Sequence, residues 1–217
     1  MSLMRVKFAK GNPARGLLHR EFLHAIQNAV LAAKLPVITT GVPIPRPAYA
    51  AGLPLGTGHL SRCEYVDFAV CSPITATEFG RRLTPELPEG ISAVWQRRMA
   101  RQTLSLKAAI RGFRYLSWGV FDAAKAEAFH AAATWPLVQV RKERQRVLDL
   151  KRNVLWLNVE PNRVIFDIEV REEGMPKPEE VIASVFGITL EEAMALSTER
   201  IAARFVTVYP PHQPAWE

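Results

Sequence analysis

A run of basic residues in the middle of the chain carries the chemistry that the sequence suggests most directly. No acidic residue occurs between Glu89 and Asp122. Cationic and aromatic residues alternate in that interval: Trp95, Arg97, Arg98, Arg101, Lys107, Arg111, Phe113, Arg114, Tyr115 and Trp118. Because cations bind phosphate and rings stack on bases, the segment predicts contact with a nucleic acid. The alternative is that the aromatic residues belong to a core and the arginines to a solvated face.

A second basic stretch lies within residues 141–152. Arg144 and Arg146 alternate in it and would share one face of a strand. The pattern predicts either a track for a polyanion or a hairpin edge that is kept basic against edge pairing. The net charge of +7 and the sequence pI of about 9.7 are compatible with a polyanionic partner.

The first predicted helix begins beside three further basic residues. Lys10 and Arg15 precede the helix, and His19 lies in its first turn. Backbone N–H groups at a helix N-terminus attract anions, so these side chains form a candidate site for a phosphate or a carboxylate. In that site His19 is the candidate acid or base of a nucleotide-directed enzyme, with Lys10 and Arg15 stabilising phosphate charge. The alternative is a plainly capped helix that binds no ligand.

Motifs for other chemistries are missing from the sequence. Gly56 and Gly58 are not followed by the lysine and serine or threonine of a phosphate-binding loop, and no Gly-x-Ser-x-Gly motif occurs. The five histidines lack the spacing of a helix-borne metal pair, and Cys63 and Cys71 form no paired-cysteine motif. The sequence therefore predicts no metal, no cofactor and no independent catalytic activity.

Alternating strands and helices must position these residues. In the first half, periodicity predicts strands over 5–10, 37–40, 64–71 and 91–95, a helix over 18–33 and a capped helix from Thr75. A stretch rich in proline and glycine, 41–60, predicts a long loop. In the second half, strands are predicted over 109–120, 137–140, 147–150, 154–159, 164–170 and 201–209, and helices over 122–134, over 178–186 and from Thr189.

The order of these elements predicts the fold class. Strand, helix, strand, strand, helix, strand is the split βαβ order, and the second half repeats it with an inserted hairpin. At 217 residues the chain is long enough for two such domains. The sequence therefore predicts an α+β protein of two tandem ferredoxin-like domains with antiparallel sheets, at 1–100 and 101–217.

Several short motifs along most of the chain are shared with one known family. They are Lys10-Gly11, Arg15, Leu18-His19, Leu35-Pro36, Gly41, Pro45-Arg46-Pro47, Leu53-Pro54-Leu55-Gly56, Glu64-Tyr65-Val66-Asp67, Asp149 and the stretch 177–182. With these motifs the chain resembles a bacterial family of unknown function, the radical-SAM-linked uncharacterised proteins, which occur beside or fused to cobalamin-binding radical SAM proteins. The chain departs from the pattern at Leu18, Glu21 and Arg46, where Ser, Asp and His are usual. These departures argue against an active-site role for that loop.

The resemblance implies a partner, a separate radical SAM protein that carries the iron–sulfur cluster. We expect an accessory or binding protein that recognises RNA or another polyanion and acts with that enzyme. One alternative is an enzyme that acts on RNA or a nucleotide through the His19 region, and another is a structural protein that docks by an exposed sheet edge. The predicted anion-binding residues are Lys10, Arg15, Arg46, Arg97, Arg98, Arg101, Arg111, Arg114, Arg144 and Arg146.

The sequence also carries expectations about location and assembly. It shows no signal-peptide pattern and no apolar run of membrane-spanning length. We therefore expect a cytoplasmic protein with no membrane partner, and the sequence leaves the oligomeric state open.

Overall fold

The structure is a computed structural model that describes residues 2–100, 103–141 and 144–206. The chain divides into two compact units, Met1–Ile110 and Arg111–Glu217. The division follows Ile110, whereas the sequence placed the domain boundary after residue 100. No helix in the described parts of the chain is long and apolar enough to cross a membrane.

The first unit mixes strands and helices along the chain. Its strands are β1 (Ser2–Lys10), β2 (Thr39–Thr40), β3 (Arg46–Pro47), β4 (Tyr49–Ala51), β5 (Leu60–Val70) and β6 (Ile91–Met99). Its helices are α1 (His19–Ala32), α2 (Ala76–Leu83) and α3 (Leu106–Ala109), with 3-10 turns at Asn12–Ala14 and Thr84–Glu86.

The sheet of the first unit is antiparallel throughout. Its strands lie in the order β6, β1, β5, and β4 pairs with β5. Alternation along β1 sends Met4, Val6 and Phe8 into the core and leaves Arg5 and Lys7 on the other face. The two short strands β2 and β3 form a separate ribbon.

Helix α1 covers the core side of this sheet because its apolar residues recur every three or four positions. Phe22, Ile26 and Val30 are buried in the same cluster as Phe8. The helix begins with the Leu18 N–H donating to the Glu21 carboxylate at 2.8 Å, which satisfies one of the free amides at its start. The polar face of α1 is left exposed on the side away from the sheet.

The second unit has the same succession of elements with additions. Its strands are β7 (Ile110–Trp118), β8 (Pro136–Arg141), β9 (Arg144–Asp149), β10 (Val154–Glu160), β11 (Arg163–Glu169) and β12 (Ser197–Phe205). Its helices are α4 (Ala123–Ala131), α5 (Leu150–Asn153), α6 (Pro178–Phe186) and α7 (Leu190–Ala195).

In the second unit the main strands lie in the order β10, β11, β7, β12. Strands β10 and β11, and β11 and β7, are antiparallel, while β8 and β9 form a separate antiparallel hairpin. Strands β7 and β11 approach closely at Gly112, where a Cβ atom would lie 2.7 Å from the Ile168 carbonyl oxygen. A larger residue at position 112 would therefore push these strands apart.

Arginine and aspartate pair across neighbouring strands in each unit. Arg5 of β1 faces Asp67 of β5 and donates to both carboxylate oxygens at 2.8 Å. Arg114 of β7 faces Asp167 of β11 and does the same at 2.7 and 2.8 Å. In both units the arginine lies on the first strand of the unit and the aspartate on its antiparallel neighbour.

The mixed α and β composition with mostly antiparallel sheets is confirmed, and several element limits are corrected. Strand β6 continues to Met99 instead of ending at 95, and helix α3 was not predicted. Residue 150 opens α5 instead of ending a strand, because Asp149 accepts the Lys151 N–H at 3.0 Å as a helix cap. The capping box predicted at Thr189 is confirmed, with Thr189 and Glu192 bonded reciprocally.

Candidate anion-binding site

The candidate site lies on the exposed side of α1 in the first unit. Arg20 and His24 are one helical turn apart on the face opposite the core, so both side chains are exposed. Gln27, one turn further on, is buried, and its Nε2 donates to the Pro47 carbonyl at 3.1 Å. This hydrogen bond holds β3 against α1 and places Arg46 beside the helix.

The loop that leads into β3 is shaped by a tight turn. Gly41 has a φ of +98°, a conformation that residues with a side chain rarely adopt. A Cβ atom there would also lie 3.2 Å from the Ile44 carbonyl oxygen. The turn leaves Val42 and Ile44 exposed at the tip of the loop. This predicted long loop therefore presents an apolar tip followed by a basic residue.

Two cavities adjoin this loop and share part of their lining. The first, of about 520 Å³, is lined by Arg20, Glu21, His24, Gln27, Arg46 and Tyr49. The second, of about 590 Å³, shares Gln27, Arg46 and Tyr49 with the first and includes the loop tip. Tyr49 is 41% exposed, so its ring is available to a ligand in either cavity.

The charge balance of the first cavity is positive. Among the residues that the structure describes, Arg20 and Arg46 form no salt bridge, and His24 adds a third nitrogen donor. The one acidic side chain in the described lining, Glu21, already accepts the Leu18 N–H at 2.8 Å. Two guanidinium groups without a salt bridge can bind an anion in the cavity. Their planar geometry allows paired hydrogen bonds to the oxygens of a phosphate group.

The predicted site at the first turn of α1 has a different arrangement. Lys10 is buried and its Nζ donates to the Leu17 carbonyl at 2.8 Å, while Arg15 Nε donates to the Gly58 carbonyl at 2.7 Å. Burial lowers the pKa of Lys10 below its ordinary value, and the nearby Glu64 and Glu21 carboxylates oppose that shift. These contacts favour the plainly capped helix, and an anion site around His19 stays a prediction.

The basic segment of the sequence is divided between different surroundings. On β6, Arg97 and Arg98 are exposed, and the Arg97 guanidinium lies 5.2 Å from the centre of the Trp95 ring. Arg111 is exposed on β7. Arg101 lies outside the described residues.

Arg114 differs from these residues because its charge is already paired. Its bidentate bonds to Asp167 raise the pKa of the guanidinium, and it also lies 5.1 Å from the centre of the Trp156 ring. Phe113 and Tyr115 beside it are buried, as the core interpretation of the aromatic residues requires. The charge of Arg114 is therefore already neutralised within the second unit.

The second basic stretch forms the β8–β9 hairpin. Arg146 donates to the Gln139 side-chain oxygen at 2.7 Å and to the Glu173 carbonyl at 2.9 Å. The first bond joins the two strands of the hairpin, and the second attaches the hairpin to the rest of the second unit, so Arg146 has a structural role. The side chain of Arg144 lies outside the described part of the chain.

Of the residues around the cavity, the sequence singled out only Arg46. Arg20 and His24 have a recognisable signal, since they are four residues apart on the polar face of a clear amphipathic helix. Tyr49 has no such signal, because its position depends on the path of the loop before it.

Comparison with known proteins gives a family but no described activity. The family described as an uncharacterised protein conserved in bacteria (DUF2344) matches residues 4–178. No curated protein is similar enough to the chain to match it. Within the described ranges, no cluster of three or more His, Cys, Asp or Glu side chains is arranged to hold a metal ion.

Proposed function

The chain belongs to the DUF2344 family of uncharacterised proteins conserved in bacteria, and on that premise we propose that it is an accessory protein that binds RNA through the first unit. The observation that carries the proposal is the cavity of about 520 Å³ between Arg20, His24 and Arg46. Guanidinium groups without a protein carboxylate partner supply the contacts that a nucleic-acid backbone needs.

The surroundings of the cavity favour RNA over a free inorganic anion. A volume of about 520 Å³ is far larger than one phosphate requires and falls in the usual range for organic ligands. The exposed Tyr49 ring offers a stacking surface beside the two arginines, and the apolar loop tip extends it. Single-stranded nucleic acid is bound by this combination of cationic groups and aromatic rings.

The strand order supports a ferredoxin-like fold for each unit, which we propose on that basis. In the first unit β1 lies between β6 and β5, and in the second β7 lies between β12 and β11. In each unit the first strand is thus central, between the last strand and a strand that follows the first helix. Such sheets occur in RNA-binding domains, although fold analogy alone is a weak argument for function.

The partner in this proposal is a separate radical SAM enzyme, to which the protein presents the bound RNA. This part rests on the resemblance described above. Co-purification of the chain with a radical SAM protein from native cells, after ribonuclease treatment, would support direct association with that enzyme. Recovery of RNA without any such enzyme would leave RNA binding in place and remove the partner.

Replacing Arg46 with glutamine tests the RNA-binding proposal. A hydrogen bond to a charged group contributes about 1.5–3 kcal/mol, so we expect Arg46→Gln to weaken RNA binding about tenfold or more. The measurement is fluorescence anisotropy of a labelled single-stranded RNA of mixed sequence. The matched control is Arg163→Gln, because Arg163 is paired with Glu160 at 2.6 Å in the second unit. Equal affinities of wild type, Arg46→Gln and the control would contradict the proposal, as would failure of the wild type to bind.

Tyr49 gives a second test that separates stacking from charge. Stacking of a base on an aromatic side chain contributes about 1–3 kcal/mol. We therefore expect Tyr49→Ala to weaken RNA binding about fivefold to a hundredfold, and Tyr49→Phe to bind like the wild type in the same assay. If the phenylalanine variant were as weak as the alanine variant, the hydroxyl group and not the ring would be the binding element.

A further inference from the structure

Strand β6 is an edge of its sheet with side chains suited to a partner. On the side away from β1, no strand within the described residues pairs with it. Val94 is 51% exposed on this edge, and Arg97 and Arg98 are exposed further along. On many edge strands the basic residues prevent aggregation and bind no partner. The groove beside β6 points to a more specific role.

A groove of about 830 Å³ runs between β6 and α2. Its lining includes Gly80 of α2 and Val94, Trp95 and Gln96 of β6. A Cβ atom at Gly80 would lie 2.2 Å from the Gln96 side-chain oxygen, so the Gln96 side chain lies directly against α2 at this glycine. An edge strand beside a helix, with a groove between them, is the arrangement in which an extended peptide adds to a sheet.

The charge beside the groove favours an acidic occupant. No acidic side chain is among the described residues that line it, whereas Arg81 lies on its rim. Arg97 and Arg98 lie on the same strand and form no salt bridge among the described residues. Arg81 is paired with Glu78 at 2.7 Å, so the unpaired charge comes from β6.

A protein segment fits this groove better than a nucleic acid does. The Trp95 ring already contacts Tyr65, with ring centres 5.9 Å apart, and lies under Arg97. It is therefore less open to a base than the Tyr49 ring. The unpaired backbone edge of β6, in contrast, offers hydrogen bonds that only another extended chain can use in series.

We propose that β6 and α2 form a docking groove for an extended acidic segment of a partner protein, which adds to the sheet as a strand beside β6. Backbone hydrogen bonds to β6 provide affinity. Apolar side chains of the segment lie against Val94 and the alanine residues of the groove. Arg97 and Arg98 lie further along β6 on opposite faces of the sheet, so adjacent residues of the segment supply the carboxylates that lie near them. The groove is separate from the cavity proposed to bind RNA, so the two can be tested independently.

The test uses the full chain and a fluorescent nine-residue peptide in which pairs of glutamate alternate with pairs of valine, so that both faces of the added strand carry carboxylates. We expect it to bind, and we expect the same peptide with lysine in place of glutamate to bind about tenfold or more weakly. The double variant Arg97→Glu/Arg98→Glu should reverse this preference. The double variant Arg152→Glu/Arg163→Glu makes the same change in net charge in the second unit, on side chains that are 61% and 41% exposed, and should keep the preference.

Hydrogen exchange of the wild type provides a measurement that needs no variant. Binding of the acidic peptide should slow exchange of backbone amides within β6. Equal binding of both peptides, no reversal in the Arg97→Glu/Arg98→Glu variant, or protection confined to other strands would overturn the proposal. A dimer of the chain that forms through β6 and excludes the peptide would also overturn it, because the occupant would then be a second copy. Loss of peptide binding in the variant Arg20→Gln/Arg46→Gln would place the peptide in the other cavity and overturn it too.

Discussion

Replacing Asp67 with asparagine should lower the free energy of unfolding of the first unit by about 3–5 kcal/mol, the usual cost of breaking a buried ion pair. The Arg5 and Asp67 side chains are only 6% and 3% exposed, and two bonds of 2.8 Å join them. The variant leaves the Arg5 charge buried without its carboxylate. The Arg5 bond to the Leu104 carbonyl at 3.2 Å does not replace that charge. Hydrogen exchange of β1 and β5 amides under native conditions measures the loss.

The second unit supplies a matched control for this prediction. Asp167→Asn makes the same change in the same cross-strand arrangement, but the Arg114 side chain is 33% exposed. Water can solvate that guanidinium after the change, so the expected loss is about 1–3 kcal/mol. Exchange of β7 and β11 amides reports it. A loss for Asp167→Asn as large as that for Asp67→Asn would show that burial does not determine the cost of breaking these pairs.

The second large effect is expected from removing both unpaired charges of the candidate site. If Arg20 and Arg46 each make one charged hydrogen bond to a phosphate, Arg20→Gln/Arg46→Gln should weaken RNA binding about a hundredfold or more. Both side chains are exposed and neither forms a salt bridge within the described residues, so the stability of the first unit should stay almost unchanged. Anisotropy and thermal unfolding measure the two quantities on the same samples.

The two single variants serve as the control for that prediction. Because the hundredfold effect assumes one separate hydrogen bond for each arginine, the losses of binding free energy in the two single variants should add up to the loss in the double variant within about 0.5 kcal/mol. A double variant that unfolds more easily than both single variants would show that the side chains support the fold. In that case the weaker RNA binding would result from the loss of stability and would not support RNA binding in the cavity.

Most of the fold could be predicted from the sequence because it depends on local periodicity. The apolar spacing of α1 and the alternation of β1 each predict one apolar face, and those apolar residues lie in the core. The burial of Arg5 on the other face of β1 could not be predicted in this way, because its partner Asp67 is distant in sequence. The Thr189 box was found for the same reason, since a capping motif is local. The sequence pattern could not give the end of β6, because pairing with β1 decides it. The cap that Asp149 provides for α5 is also local, but the prediction of a strand over 147–150 missed it.

The candidate site could be predicted only in part, because charge in a sequence does not show where a carboxylate will lie. Arg114 was chosen as an anion-binding residue, yet Asp167, distant in sequence, neutralises it across the sheet. Lys10 was chosen for its place before a helix, but its amine bonds to the loop at Leu17. Arg46 was also chosen as an anion-binding residue, but its place beside the cavity could not be predicted, because the Gln27 bond that brings β3 to α1 is a tertiary contact.

The salt dependence of RNA binding tests the central claim most directly, because it counts the phosphates that the protein neutralises. For single-stranded nucleic acid, each neutralised phosphate contributes about 0.7 to the slope of log affinity against log salt. If Arg20 and Arg46 contact RNA phosphates, the slope of Arg20→Gln/Arg46→Gln should be less steep than that of the wild type by about 1.4. Equal slopes for the two proteins would show that these arginines neutralise no phosphate, and the account of the cavity would be wrong.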